Sequence, residues 1–356
     1  MKTKTRNLSK TTRSNFITYG MVVVAYIIVE ICLRAGVVSS LLEGLLVPLC
    51  MYVILAVSLN LTVGISGELS LGHAGFMCVG AFSSAIFSKC METAIPVSGI
   101  RFFLAILIGT VFAAVFGILI GVPVLRLKGD YLAIVTLAFG EIIKNVVNVV
   151  YLGRDSQGFH ISTKDTLSLG LEEGGEVIIK GPQGITGTPN DSTFLIGIIL
   201  ILVTLFIVIN LINSRTGRAV MAIRDNRIAA ESVGINVTKY KLLAFSVSAA
   251  LAGTAGVLYA HNLSTLQAQP KNFGYNMSIT ILVFVVLGGI GNIRGSVIAA
   301  VVLTLLPELL RSLNDYRMLI YAVILIATMI FTSSPGGQHI QERIKQFFER
   351  RKTKEA

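Results

Sequence analysis

Apolar runs of about 20 residues, separated by short charged stretches, leave a chain one solvent: neither water nor a single globular core accommodates many of them. Such runs recur here at 16–33, 41–63, 68–88, 102–125, 130–151, 192–212, 241–262, 277–291, 296–311 and 316–332. Each is close to the length a helix needs to cross the hydrocarbon of a bilayer. The spacing predicts an all-α, polytopic transmembrane helical bundle of about ten spans. Two runs are weaker: 68–88 is rich in Gly and Ser, and 277–291 is short and holds Gly288-Gly289. Glycine-interrupted segments persist in lipid where neighbouring helices cover them. Charged residues make up 14% of the chain, against about 25% in soluble domains, and the mean hydropathy is +0.76. The bilayer is the expected solvent.

Orientation follows from the distribution of Lys and Arg, which gather on the cytoplasmic side. With the N-terminus in the cytoplasm, the inner segments 1–15, 126–129, 213–241, 292–295 and 340–356 hold 20 of the 30 basic residues. The longest outer segment, 152–191, carries more acidic than basic side chains. Both termini are therefore expected in the cytoplasm. This layout gives a basic N-terminus (1–15), a membrane domain (16–332) with an inner loop at 213–240 and an outer loop at 152–191, and a basic tail (333–356). The run 16–33 follows a basic start, but no small-residue cleavage site comes after it, so it is taken as the first span rather than a signal peptide. The outer loop is rich in Gly, Pro, Ser and Thr around Val177-Ile178-Ile179; a hairpin or small helix facing a partner and a loose connection are both compatible with it.

The net charge of +11 lies in juxtamembrane stretches rather than on one basic face, so nucleic acid is not an expected partner. Cys32, Cys50, Cys78 and Cys90 lie in or beside apolar runs without ligand spacing and are expected as small core residues. The four histidines are scattered, so no metal is implied. No phosphate-binding Gly-x-x-x-x-Gly-Lys-Ser/Thr occurs, and no hydrolase motif, so neither a cofactor nor an enzyme activity is expected.

The inner loop is neither apolar enough to insert nor polar enough to be a linker. Residues 218–232 are good helix formers, with Val220, Ile223, Ala230 and Val233 near one face and Arg224, Asp225, Arg227 and Glu231 elsewhere. Gly234 is a natural stop. A single short amphipathic helix is predicted, either lying on lipid or docking in a groove of a soluble partner. Small residues at Ala229, Ala230 and Gly234 favour protein contact.

Three further stretches stand out. Ser58-Leu59-Asn60-Leu61 is followed by Gly64-Ile65-Ser66-Gly67-Glu68-Leu69-Ser70-Leu71-Gly72-His73-Ala74-Gly75-Phe76. Its glycines fit tight helix packing or a broken helix that exposes backbone near a translocation path. Leu127 to Ile143 contains Glu141, three residues from Lys144 and hence on its helical face; ionisable groups within spans are functional candidates, here also compatible with an interfacial ion pair. Val286-Leu287-Gly288-Gly289-Ile290-Gly291-Asn292-Ile293-Arg294-Gly295 joins two spans and only superficially resembles a nucleotide loop.

Ala229-Ala230-Glu231-Ser232-Val233-Gly234 resembles the cytoplasmic loop of ABC importer permeases. With the three stretches, in order from about Leu41 to Phe331, the chain resembles branched-chain amino acid permeases of the LivM/LivH type. Ser334-Pro335-Gly336-Gly337-Gln338 departs from the Arg-Pro-Gln-Gly usual there.

The resemblance implies an inner-membrane permease subunit taking up branched-chain or other apolar amino acids. Implied partners are cytoplasmic ATPase subunits, a second homologous permease and an external binding protein. Contact with the ATPase would fall to Arg224, Asp225, Ala229, Ala230, Glu231 and Gly234; the path candidates are Gly67, Ser70, Gly72, His73, Gly75 and Glu141. Urea, amide and sugar permeases share the architecture. A self-contained secondary transporter would need several intramembrane charges, where Glu141 and Lys144 are nearly alone.

Overall fold

The computed structural model of the chain describes residues 10–36, 39–92, 94–127, 129–156, 158–172 and 174–310, with six positions between 316 and 326. Two compact units are present, Met1–Ala300 and Val301–Ala356. In the second, the described residues are mainly the end of the last long helix, which contains Pro307. The predicted run 316–332 and the tail 333–356 lie largely outside the described residues.

Nine of the predicted runs coincide with helices: α1 (Lys10–Arg34), α2 (Ser40–Asn60), α3 (His73–Cys90), α4 (Ser98–Val124), α5 (Asp130–Val149), α6 (Phe194–Asn213), α9 (Val237–Ala260), α11 (Tyr275–Gly288) and α12 (Ile293–Leu309). The shorter α7 (Arg215–Asp225), α8 (Arg227–Ser232) and α10 (Pro270–Phe273) lie between them. Among the described residues, seven helical segments are long and apolar enough to cross a membrane. The molecule is a multi-pass helical membrane protein. Of the remaining two, α3 carries His73, Lys89 and three serines, and α12 has 17 residues.

The third run departs from expectation. It is not one helix over 68–88: residues 66–72 are unwound and the helix begins only at His73. Gly67 has φ +72°, a conformation that ends a helix because side-chain-bearing residues avoid it. Helix α2 in turn runs into a π turn, Leu61–Ile65, and Ser66 N donates to Leu61 O at 3.1 Å. Such turns widen a helix locally and are common at functional positions.

Helices α2 and α9 form the interior of the first unit, with α3 and α4 packed on α9. Lipid offers no hydrophobic drive between helices, so they associate through small residues that let backbones meet. A Cβ on Gly80 would lie 2.3 Å from Gly253 O, and one on Gly256 2.0 Å from Met77 O. Exposed apolar side chains line one side of α4, including Phe103, Leu107, Val111 and Val115.

Chain direction places α7 and α8 at one end of these helices and the segment after α5 at the other. That segment is neither a lone hairpin nor a loose connection. Strand β1 (Tyr151–Arg154) pairs antiparallel with β2 (Phe159–Ser162) on one edge and β3 (Glu176–Lys180) on the other. Strand β4 (Ile185–Thr186) pairs with β5 (Thr265–Leu266), which follows α9. Arg154 Nη1 donates to Cys90 O at 2.6 Å, and Lys89 Nζ lies 3.0 Å from Glu176. The sheet is thereby fastened to the end of α3.

Candidate functional site

The unwound stretch before α3 is held from several sides. Leu71 N donates to Thr136 Oγ1 at 3.1 Å, and Thr136 Oγ1 to Ala133 O at 3.0 Å, both on α5. A Cβ on Gly72 would lie 2.3 Å from Thr136 O, and one on Gly75 2.7 Å from Gly140 Cα. At the start of α3, His73 Nε2 lies 2.7 Å from Ser58 Oγ, while Ala74 N donates to Ser278 Oγ at 3.1 Å. Ser248 Oγ on α9 donates to Ser58 O at 2.5 Å. Ser70 Oγ is buried without a protein partner. Of the predicted path residues, Ser70, Gly72, His73 and Gly75 thus share one region between α2, α3, α5 and α11. Gly67 does not join them: it lies under the Arg224 side chain, whose Cγ a Cβ there would meet at 2.6 Å.

Glu141 borders that region, next to Gly140 on which Gly75 packs, but its carboxylate is engaged by other partners. It pairs with Lys144, whose side chain is only 8% exposed, and its other oxygen accepts from Tyr275 N at 2.9 Å. Neutralising two charges locally is what an apolar surrounding demands.

The inner loop forms two helices, not the single one predicted. Ser214 caps α7 by accepting from Gly217 N at 3.1 Å. Asn226, with φ −155°, breaks the chain and caps α8 by accepting from Ala229 N at 3.0 Å. Asn satisfies a helix's unpaired amides better than it continues a helix, so the break falls there. Gly234, with φ +83°, ends α8: its N donates to Glu231 O and Ile235 N to Ala230 O, both at 3.0 Å. This double closure is the common glycine-terminated helix end.

Ile223, Ala230 and Val237 form a small buried core, with Ile235 and Tyr240 against it. Val233 was expected on that face, but the turn at Gly234 leaves it 74% exposed, and Ile228 is 80% exposed. Ala229, Glu231 and Asp225 are also exposed, Arg227 and Glu231 pairing at 3.0 Å.

Between these two regions lies a joint that draws on Arg224 and on the stretches around Asn60, Gly64 and Gly291, but whose pairings, with Ser296 and Lys241, the sequence reading did not anticipate. Asn60 Nδ2 donates to Ser296 Oγ, and Gly291 N donates to Asn60 Oδ1, each at 2.8 Å. Arg224 Nη1 donates to Gly64 O at 2.9 Å. Lys241 on α9 forms an ion pair with Glu68, both side chains 13% exposed. The only signal for Asn60 was an amide in the middle of an apolar run.

Residues 41–329 match the family described as branched-chain amino acid transport system / permease component. The chain is 37% identical over 290 residues to the high-affinity branched-chain amino acid transport system permease protein LivM of Salmonella typhimurium, covering 79% of this chain and 66% of the relative. It is 26% identical over 287 residues to the fructose import permease protein FruG of Bifidobacterium longum, covering 78% and 76%. To the permease protein LivH of Salmonella typhimurium it is 22% identical over 301 residues, covering 82% and 93%. No solved structure matches.

Proposed function

The chain belongs to the branched-chain amino acid transport system permease component family, and from that premise we propose that it is the membrane-spanning subunit of an ATP-driven importer of branched-chain or other apolar amino acids. The observation that carries this reading is the pair α7–α8, packed at one end of the helices with Ile228 and Val233 exposed. Two large apolar side chains beside a charged rim suit a groove in a soluble ATPase. Asp225, Ala229, Ala230, Glu231 and Gly234 then form or support the coupling surface, while the Arg224 side chain turns away from it to Gly64 O.

LivM and LivH of one bacterium are both similar to this chain, which favours pairing with a second, related permease. The sheet β2-β1-β3 at the other end offers a binding protein a folded platform. Sugar import is the weaker alternative, since FruG is less similar than LivM. The topology we favour has about ten crossings, adding α3, α12 and 316–332 to the seven segments, with both termini in the cytoplasm and the protein in the inner membrane. The basic-residue count supports it. Solute would pass near Ser70, Gly72, His73 and Gly75, where Ser70 Oγ has no protein partner. Glu141, bound to Lys144 and Tyr275, would stabilise the wall.

The test is capture of partners by the tagged chain in mild detergent, with Ile228→Asp and Gly234→Arg beside the wild type. The wild type should bring down an ATPase and a second permease, and both variants should lose the ATPase while keeping the permease. A wild-type chain that purifies alone and moves solute into liposomes without ATP overturns the reading.

A further inference from the structure

We propose that Arg224 is the positioning residue through which α7 drives a gate built from residues 60–68 and the glycine loop 288–295; this rests on the importer reading above. The π turn ends α2 with carbonyls that have no helical donor beyond them. Arg224 Nη1 supplies one, to Gly64 O at 2.9 Å. Two further guanidinium donors are also engaged, Nε and Nη2 meeting Asp225 Oδ1 at 3.1 and 2.9 Å. A planar group fixed at both edges has little freedom to swing aside. Its stem lies across Gly67, so α7 and the stretch after the π turn touch directly.

From Gly64 the connection continues without slack. A Cβ there would sit 1.9 Å from Asn60 Oδ1 and 2.3 Å from Gly291 N. Asn60 grips both Gly291 and Ser296. The loop they bound is equally tight, with the Gly295 Cβ position 1.6 Å from Gly288 O. A shift of α7 by an ångström or two cannot be absorbed here by repacking side chains, because backbone meets backbone. It must either break the Arg224 bond or carry Gly64, Asn60 and the 288–295 loop with it. The second outcome turns ATPase motion into movement at the α2–α12 contact.

The test uses the full complex with its ATPase and binding protein in proteoliposomes, reading amino acid uptake per ATP hydrolysed. Arg224→Met keeps an apolar stem over Gly67 but removes every donor. It should still capture the ATPase and hydrolyse ATP, while uptake per ATP falls at least tenfold. A tether supplies the rescue: the Gly67 Cβ position is 3.5 Å from Arg224 Cβ, within the roughly 3.5–4.5 Å a disulfide spans. In the double variant Gly67→Cys, Arg224→Cys, oxidation should raise uptake per ATP at least fivefold over the reduced form of the same protein. An unchanged ratio in Arg224→Met, loss of ATPase capture by that variant, or a tether that stops transport overturns the proposal. A wild-type chain that captures no ATPase sinks the importer reading itself, a result distinct from all of these.

Discussion

His261 closes α9 with both ring nitrogens engaged, Nδ1 3.0 Å from Val257 O and Nε2 2.7 Å from Ser88 Oγ. A carbonyl accepts only from an N–H, so Nδ1 carries the proton and Nε2 accepts from the serine. In His261→Gln, whose amide can make both hydrogen bonds, the thermal midpoint should fall less than in His261→Leu, which leaves Ser88 Oγ and Val257 O without the ring nitrogens. Equal losses would mean that the packing of the ring, not its hydrogen bonds, holds this end of α9. Legibility at this scale depended on sequence distance. The Glu141–Lys144 pair was readable because three residues of helix bring the side chains together. Asn60 was not, since its two partners lie 231 and 236 residues further along.

Helices were readable where burial in lipid decides them and less so where caps do. The interval 218–232 was read as good helix formers, and the weak helix propensity of a single Asn226 is too small a penalty to mark a break by itself. What decides it is the reward of pairing α8's first amides, worth about 1 kcal/mol for an Asn cap. Asn226→Ala should therefore loosen α8 by about that amount. Hydrogen exchange at 228–232 would report it as roughly fivefold faster amide exchange, with α7 unaffected. No change would mean that the Ile223–Ala230–Val237 core alone holds α8. The sheet was less visible still: only Val177-Ile178-Ile179 carried a strand signal, while β1, which follows α5 directly, pairs beside it and carries β2 on its other edge. The break before α3 was legible as a glycine cluster, but not its start at His73, which the contacts with Ser58 and Ser278 fix.

At the scale of the whole chain, hydropathy pointed to a multi-pass helical protein, of which seven segments among the described residues are long and apolar enough to cross, because backbone facing lipid must pair within its own helix. It says nothing about how those helices move. Here the glycines of α9 have a mechanical meaning. Its first residue, Val237, packs with the inner helices, and its far end holds Ser88 and Ser192 through His261. Between them, Gly253 and Gly256 bring its backbone against α4 and α3, leaving no compliant layer of side chains. Such an element is a stiff rod rather than a spring: displacement entering at one face of the membrane leaves at the other without delay. Distance probes at Val237 and at His261 should relax with one shared rate constant after ATP is added. Two separate rates would place a hinge within α9.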